Sequence, residues 1–150
     1  MLTAILVSLS LSIAAIFVHY EMLRLLWMNA TRLLRWLGPR GLILTSVIGT
    51  FLAHAIEVIA YALVFWWLDG RWGVGQLADV PLTFDAALTF SAESYATLGV
   101  GTLDRHVPLR LLAGTEALTG LLLVTWSASF TYLVMRHGWR VEQRESHGEG

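Results

Sequence analysis

Cysteine is absent from the 150 residues of this chain, and so is lysine; all 10 basic residues are arginine. The first absence excludes disulfides and thiolate metal sites. Charge is scarce as well: 14% of residues are charged, against roughly 25% in soluble domains. No phosphate-binding glycine loop, nucleophile elbow or basic nucleic-acid patch occurs. The histidines (His19, His54, His106, His137 and His147) share no metal-ligand spacing along the chain. These gaps argue against an enzyme, a cofactor, a nucleic-acid partner or a recognised small-molecule substrate. What is abundant is apolar: 56% of the residues are hydrophobic and the mean hydropathy is +0.63. A single all-α membrane domain is the class this composition defines.

Three apolar runs reach the length of about 20 residues that a spanning helix needs: Met1 to about Tyr20, Gly41 to Leu68, and Leu111 to Met135. The first has no charge before Glu21, then becomes an amphipathic, arginine-bearing helix through Trp36. Gly38-Pro39-Arg40-Gly41 stops it, because proline lacks a donor and glycine ends helices cheaply. A cleaved leader is the bland reading of Met1 to Tyr20, but a positive n-region and a clean cleavage site are both missing. The expected organisation is a first span with an amphipathic extension (1–40), a core domain (41–138) and a frayed tail (139–150).

Arginine sets the orientation. Arg24, Arg32, Arg35 and Arg40 flank the first connection, and Arg136, Arg140 and Arg144 follow the third span. Positive-inside places both groups in the cytoplasm and the N-terminus outside, in a multi-pass protein of the cell membrane. Trp66, Trp67 and Trp72 then mark the outer end of the second span, with Trp36 and Trp139 at the inner boundary and Trp126 deep in the third span as a packing residue.

Between the second and third spans, loop-like sequence from Asp69 to Gly75 gives way at Pro81 to an apolar run through Ala96 that is too short to cross. A re-entrant helix fits, with Pro81 in its first turn, Asp79 as a possible cap and Asp85 near its positive end. Then comes Thr97-Leu98-Gly99-Val100-Gly101. Two glycines at alternate positions let a backbone take dihedrals closed to other residues. Non-helical backbone at membrane depth survives only where protein buries it or water fills a pore beside it.

The run from Phe84 to Gly101 resembles the pore helix and selectivity filter of two-span bacterial potassium channels, and the resemblance extends from about residue 42 to 136. It implies three transmembrane helices with a re-entrant pore helix and filter loop between the second and third, assembled as a homotetramer around a central pore within membrane lipid. Thr97, Leu98, Gly99, Val100 and Gly101 would be the ion-binding residues, with potassium at Thr97, Leu98, Gly99 and Val100. Transport would be passive, and permeant potassium would be the one bound species. A pore-helix carboxylate of the family matches Glu93. The chain departs from the family at Val100, where an aromatic is usual, at Thr102, where an acid is usual, and at Ala96, where a second threonine is usual. Asp104 is near enough to replace the missing acid as Glu93's partner. These changes imply weaker potassium-over-sodium selectivity or faster inactivation. The alternatives are a non-selective cation channel and a non-conducting scaffold or subunit with a degenerate loop.

Ionisable residues inside spans are functional candidates by default. His54 and Glu57, three apart on one helical face, could bond each other or a neighbouring helix, or serve proton-sensitive gating. Glu116 could neutralise Arg110 or approach the pore helix. Gly120, nineteen residues after Gly101, falls about where the family keeps an inner-helix glycine that bends. A gating hinge and close helix packing are both compatible with it. Thr119, Ser127 and Ser129 could face water in a central cavity.

Overall fold

A computed structural model describes residues 2–72, 83–98 and 107–148. Four helices run in the order α1 (Leu2–Met28), α2 (Ala30–Trp72), α3 (Phe84–Tyr95) and α4 (Val107–Gly148), and no strand occurs among the described residues. Three of them, over Leu2–Met28, Ala30–Leu68 and Leu109–Val141, are long and apolar enough to cross a membrane. Their exteriors agree. Ile13, Phe17, Leu44, Phe51, Leu118 and Leu122 face outward, while Ser8, His19, Glu57, Ser91, Glu116 and Ser127 are buried between helices. Apolar outside and polar inside is the arrangement of a protein solvated by lipid. This is a multi-pass, all-helical membrane protein.

The first reversal of the chain comes at Gly38. Helical hydrogen bonds pass through Asn29, from its N–H to the Leu25 carbonyl and from the Leu33 N–H to its own carbonyl, so α1 and the start of α2 form one continuous rod. Gly38 then breaks it with φ 69° and ψ −178°. Glycine tolerates that positive φ, and Pro39 restarts the helix at a position where no N–H is needed. The expected stop is therefore where the sequence placed it. Beyond it, Ser12 meets Tyr61, His19 meets Glu57 and Leu26 packs on Gly49. These pairs share one antiparallel register centred near Gly38.

α4 lies parallel to α1 and antiparallel to the second part of α2, through Thr119 against Ser12, Ser127 against His19 and His54, and Gly138 against Pro39 and Ile43. Two apolar clusters hold the bundle: Ala15, Tyr61, Phe65, Leu68, Leu109, Leu112 and Leu123 at one end, and Leu23, Ala30, Leu42, Phe130 and Val134 at the other. Toward its C-terminus α4 runs on as helix through Gly148, where the sequence suggested a frayed tail.

α3 is a wedge between α2 and α4. It begins beside Trp66, whose ring meets Phe84 edge-on at 6.3 Å, and Phe90 stacks edge-on against Phe65 at 5.0 Å. Thr83 caps its start by accepting from the Ala86 N–H at 3.3 Å, with Asp85 in the first turn. The proposed cap Asp79 and first-turn Pro81 lie outside the described residues. Twelve helical residues reach about 18 Å, a little over half of the ~30 Å hydrocarbon thickness.

Candidate functional site

The C-terminal end of α3 is where the chain's polar residues gather. Two backbone bonds close the helix there, from the Thr97 N–H to the Ser94 carbonyl at 3.0 Å and from the Leu98 N–H to the Glu93 carbonyl at 2.9 Å. This is the Schellman pattern, which calls for a left-handed residue and normally uses glycine. Here that residue is Thr97, with φ 57°. A β-branched residue in this region is an outlier that costs on the order of 1–2 kcal/mol. Ala96, Thr97 and Leu98 are all exposed, Leu98 at 64%.

Behind the turn, Tyr95 points into the bundle and starts a closed ring of hydrogen bonds. Its O–H donates to Glu57 Oε2, and the same oxygen lies 2.7 Å from His54 Nδ1. His54 Nε2 lies 3.0 Å from Ser127 Oγ, which is also 3.0 Å from His19 Nε2. His19 Nδ1 returns to Glu57 Oε1 at 2.9 Å. The ring draws on every helix: His19 from α1, His54 and Glu57 from α2, Tyr95 from α3, Ser127 from α4. Its carboxylate and His19 are fully buried.

Five bonds in this ring require five protons. A phenol, a hydroxyl and two neutral imidazoles bring only four, since a carboxylate brings none. One added positive charge completes the ring and cancels the carboxylate. No arginine takes that part, because the described ion-pair partners of Glu57 are His19 at 2.9 Å and His54 at 3.4 Å.

A second polar contact ties α3 higher up. Ser91 Oγ sits between the Val58 carbonyl, at 2.8 Å, and Glu116 Oε1. Glu116 is fully buried, and its Oε2 has no hydrogen-bond partner among the described residues. Of its two expected neighbours, the structure gives it the short helix. Gly120 lies one turn further on, where a Cβ would come within 2.5 Å of the Tyr95 carbonyl oxygen. Close approach of α3 to α4 is thus a sufficient reason for glycine.

The residues expected to act fall in different places. Thr97 and Leu98 are at the exposed turn, whereas Gly99, Val100, Gly101, Thr102 and Asp104 lie outside the described residues. Glu93 contributes its carbonyl to the turn, and its side chain is half-buried. His54 and Glu57 do come together, each with partners on other helices. Thr119 and Ser127 turn inward, to Ser12 and to the two histidines, and not to an open cavity.

Sequence reasoning did not single out His19, Tyr95 or Ser127 for this cluster. Metal-ligand spacing along the chain had no bearing on His19 and His54, since they come from different helices. The available signal was His19 itself, a lone ionisable side chain inside an apolar span.

Comparison with protein-family models, with curated proteins and with solved structures finds no match for this chain.

Proposed function

We propose that this chain is a passive, potassium-preferring cation channel that conducts through the backbone of Thr97 to Gly101 in a homotetramer. The observation that carries the reading is the place where α3 stops. Its last residue, Tyr95, lies level with His54 of α2 and Gly120 of α4, which fall inside the spans Ala30–Leu68 and Leu109–Val141, away from their ends. A helix that enters beside Trp66 and ends at that level would be re-entrant. The chain that follows Leu98 would then lie at membrane mid-depth, where non-helical backbone needs protein or water to satisfy it.

Further copies of the same loop around a water-filled axis would satisfy it. The C-terminal, negative end of α3 would then favour a cation at the inner mouth. Thr97 supports the same reading. Glycine would close this helix without strain, so a threonine held at φ 57° points to a use for its side chain. The inner-mouth threonine of a carbonyl filter, offering hydroxyl and carbonyl together, is that use.

The ring around Glu57 fits this reading as scaffolding. It anchors Tyr95, and with it the start of the loop, to all three long helices. Orientation follows from the arginines: the end carrying Arg24, Arg32, Arg35, Arg40, Arg136 and Arg140 would be cytoplasmic. Liposomes loaded with potassium and carrying the purified full chain provide the test. Potassium efflux that disappears in Gly99→Ala supports conduction through the loop. Assembled wild-type protein that releases no potassium at any pH or voltage tried overturns it and leaves the scaffold reading.

A further inference from the structure

The cluster of His19, His54 and Glu57 has a donor set that the conduction reading does not require. We infer that these three side chains form a binding site for a divalent transition-metal ion, zinc being the ion their geometry fits, with the Tyr95 hydroxyl in reach as a fourth ligand. Two imidazoles and one carboxylate are a zinc donor set, whereas calcium and magnesium prefer all-oxygen cages.

Geometry supports the assignment in three ways. One potential ligand atom from each residue lies within 4.8 Å of the others. Tetrahedral zinc with bonds of about 2.0–2.1 Å holds its ligand atoms roughly 3.4 Å apart. His19 Nδ1 is already 2.9 Å from one Glu57 oxygen and His54 Nδ1 is 3.4 Å from the other, so modest side-chain rotations complete the shell. The Tyr95 oxygen, 2.7 Å from His54 Nδ1, is on the same side.

The outer contacts point the same way. Both Nε2 atoms lie 3.0 Å from a single oxygen, Ser127 Oγ. That oxygen has two lone pairs and accepts from both rings when each carries its proton on Nε2. Both Nδ1 atoms then face Glu57 with free lone pairs, ready for an ion. Metal-binding histidines are commonly oriented by just such a second hydrogen bond.

Charge completes the argument. The buried carboxylate has no arginine among its described ion-pair partners, and the hydrogen-bond ring is one proton short of its five bonds. A divalent ion supplies positive charge at the centre of the cluster and replaces the bonds that run short of protons. It would enter past His54, whose side chain is 19% exposed while those of His19 and Glu57 are 0%. Once bound it would pin α1 to α2 at the level of Tyr95, the last residue of α3.

The test uses the untagged full chain in detergent, stripped with a chelator, equilibrated with zinc and desalted. One zinc per chain is expected, with an X-ray absorption spectrum showing nitrogen and oxygen ligands at about 2.0–2.1 Å and imidazole scattering. His19→Gln and Glu57→Gln should lose the ion, and His137→Gln should keep it. Ser127→Ala should weaken binding by about 10–100-fold. Wild-type protein that retains no zinc overturns the site, as does undiminished zinc in His19→Gln and Glu57→Gln. Should those variants fail to fold, the wild-type spectrum decides, because an all-oxygen, imidazole-free shell refutes the assignment by itself.

Discussion

Replacing Thr97 with glycine should separate stability from conduction. In the present structure Thr97 occupies the left-handed position of a Schellman turn at φ 57°, and it is exposed. Relief of the left-handed strain is worth about 1–2 kcal/mol. Against it stands the extra freedom glycine has in the unfolded chain, about 0.5–1 kcal/mol. The difference predicts that Thr97→Gly leaves the protein as stable as wild type or stabilises it by up to roughly 1.5 kcal/mol, about a twelvefold shift in the unfolding equilibrium. Potassium flux should nonetheless fall sharply, because the hydroxyl proposed to ligand the ion is gone. Unfolding in mixed micelles gives the first quantity and flux from liposomes of matched protein content gives the second. A variant destabilised by more than 1 kcal/mol that still conducts like wild type would refute both halves of the reasoning, since Thr97 would then be serving the fold.

Three further outcomes can be measured alongside. Tyr95→Phe keeps the ring volume but deprives Glu57 Oε2 and His54 Nδ1 of the hydroxyl they share. Uncharged hydrogen bonds in membranes average only about 0.6 kcal/mol, but with a buried carboxylate as acceptor the loss should be about 2 kcal/mol, measurable in the same micelle unfolding experiment. Gly120→Ala should cost about 1–3 kcal/mol by overpacking, because its Cβ meets backbone at 2.5 Å. Gly49→Ala should cost clearly less, since its nearest atoms, at 2.8 Å, are the movable methyls of Leu26; equal losses at the two glycines would contradict this. If the proposed conduction through the loop holds, Val100→Tyr, which introduces the aromatic usual in potassium channels at a position outside the described residues, should raise the potassium-to-sodium permeability ratio read from reversal potentials.

Much of the fold was legible in the sequence because lipid imposes strong and simple constraints. Spans had to be long and apolar, and Gly38-Pro39 could only interrupt a helix. The too-short run ending at Ala96 had to be something other than a crossing. Thr83 caps α3 by accepting from the Ala86 N–H, a role any hydroxyl at that place can take, while the sequence's candidate Asp79 lies outside the described residues. Glu57 and His54 stood out as costly ionisable residues inside a span. Their partners did not, because a serine and a tyrosine inside apolar helices are ordinary, and the meeting of His19 with Glu57 depends on where the hairpin turns. With the turn at Gly38 the pairing follows, whereas a turn three or four residues later would bring a different helix position against Glu57. The expectation that Thr119 and Ser127 face water failed for a related reason: helical periodicity alone cannot tell a pore-facing polar residue from one facing a polar neighbour.

The most direct test of the proposed channel is a recording from purified wild-type protein in a planar bilayer, with potassium on one side and sodium on the other. The account predicts unitary currents whose reversal potential lies on the potassium side of zero, absent when Gly99→Ala is reconstituted in parallel. Silent wild-type protein, or currents that persist unchanged in Gly99→Ala, would contradict it.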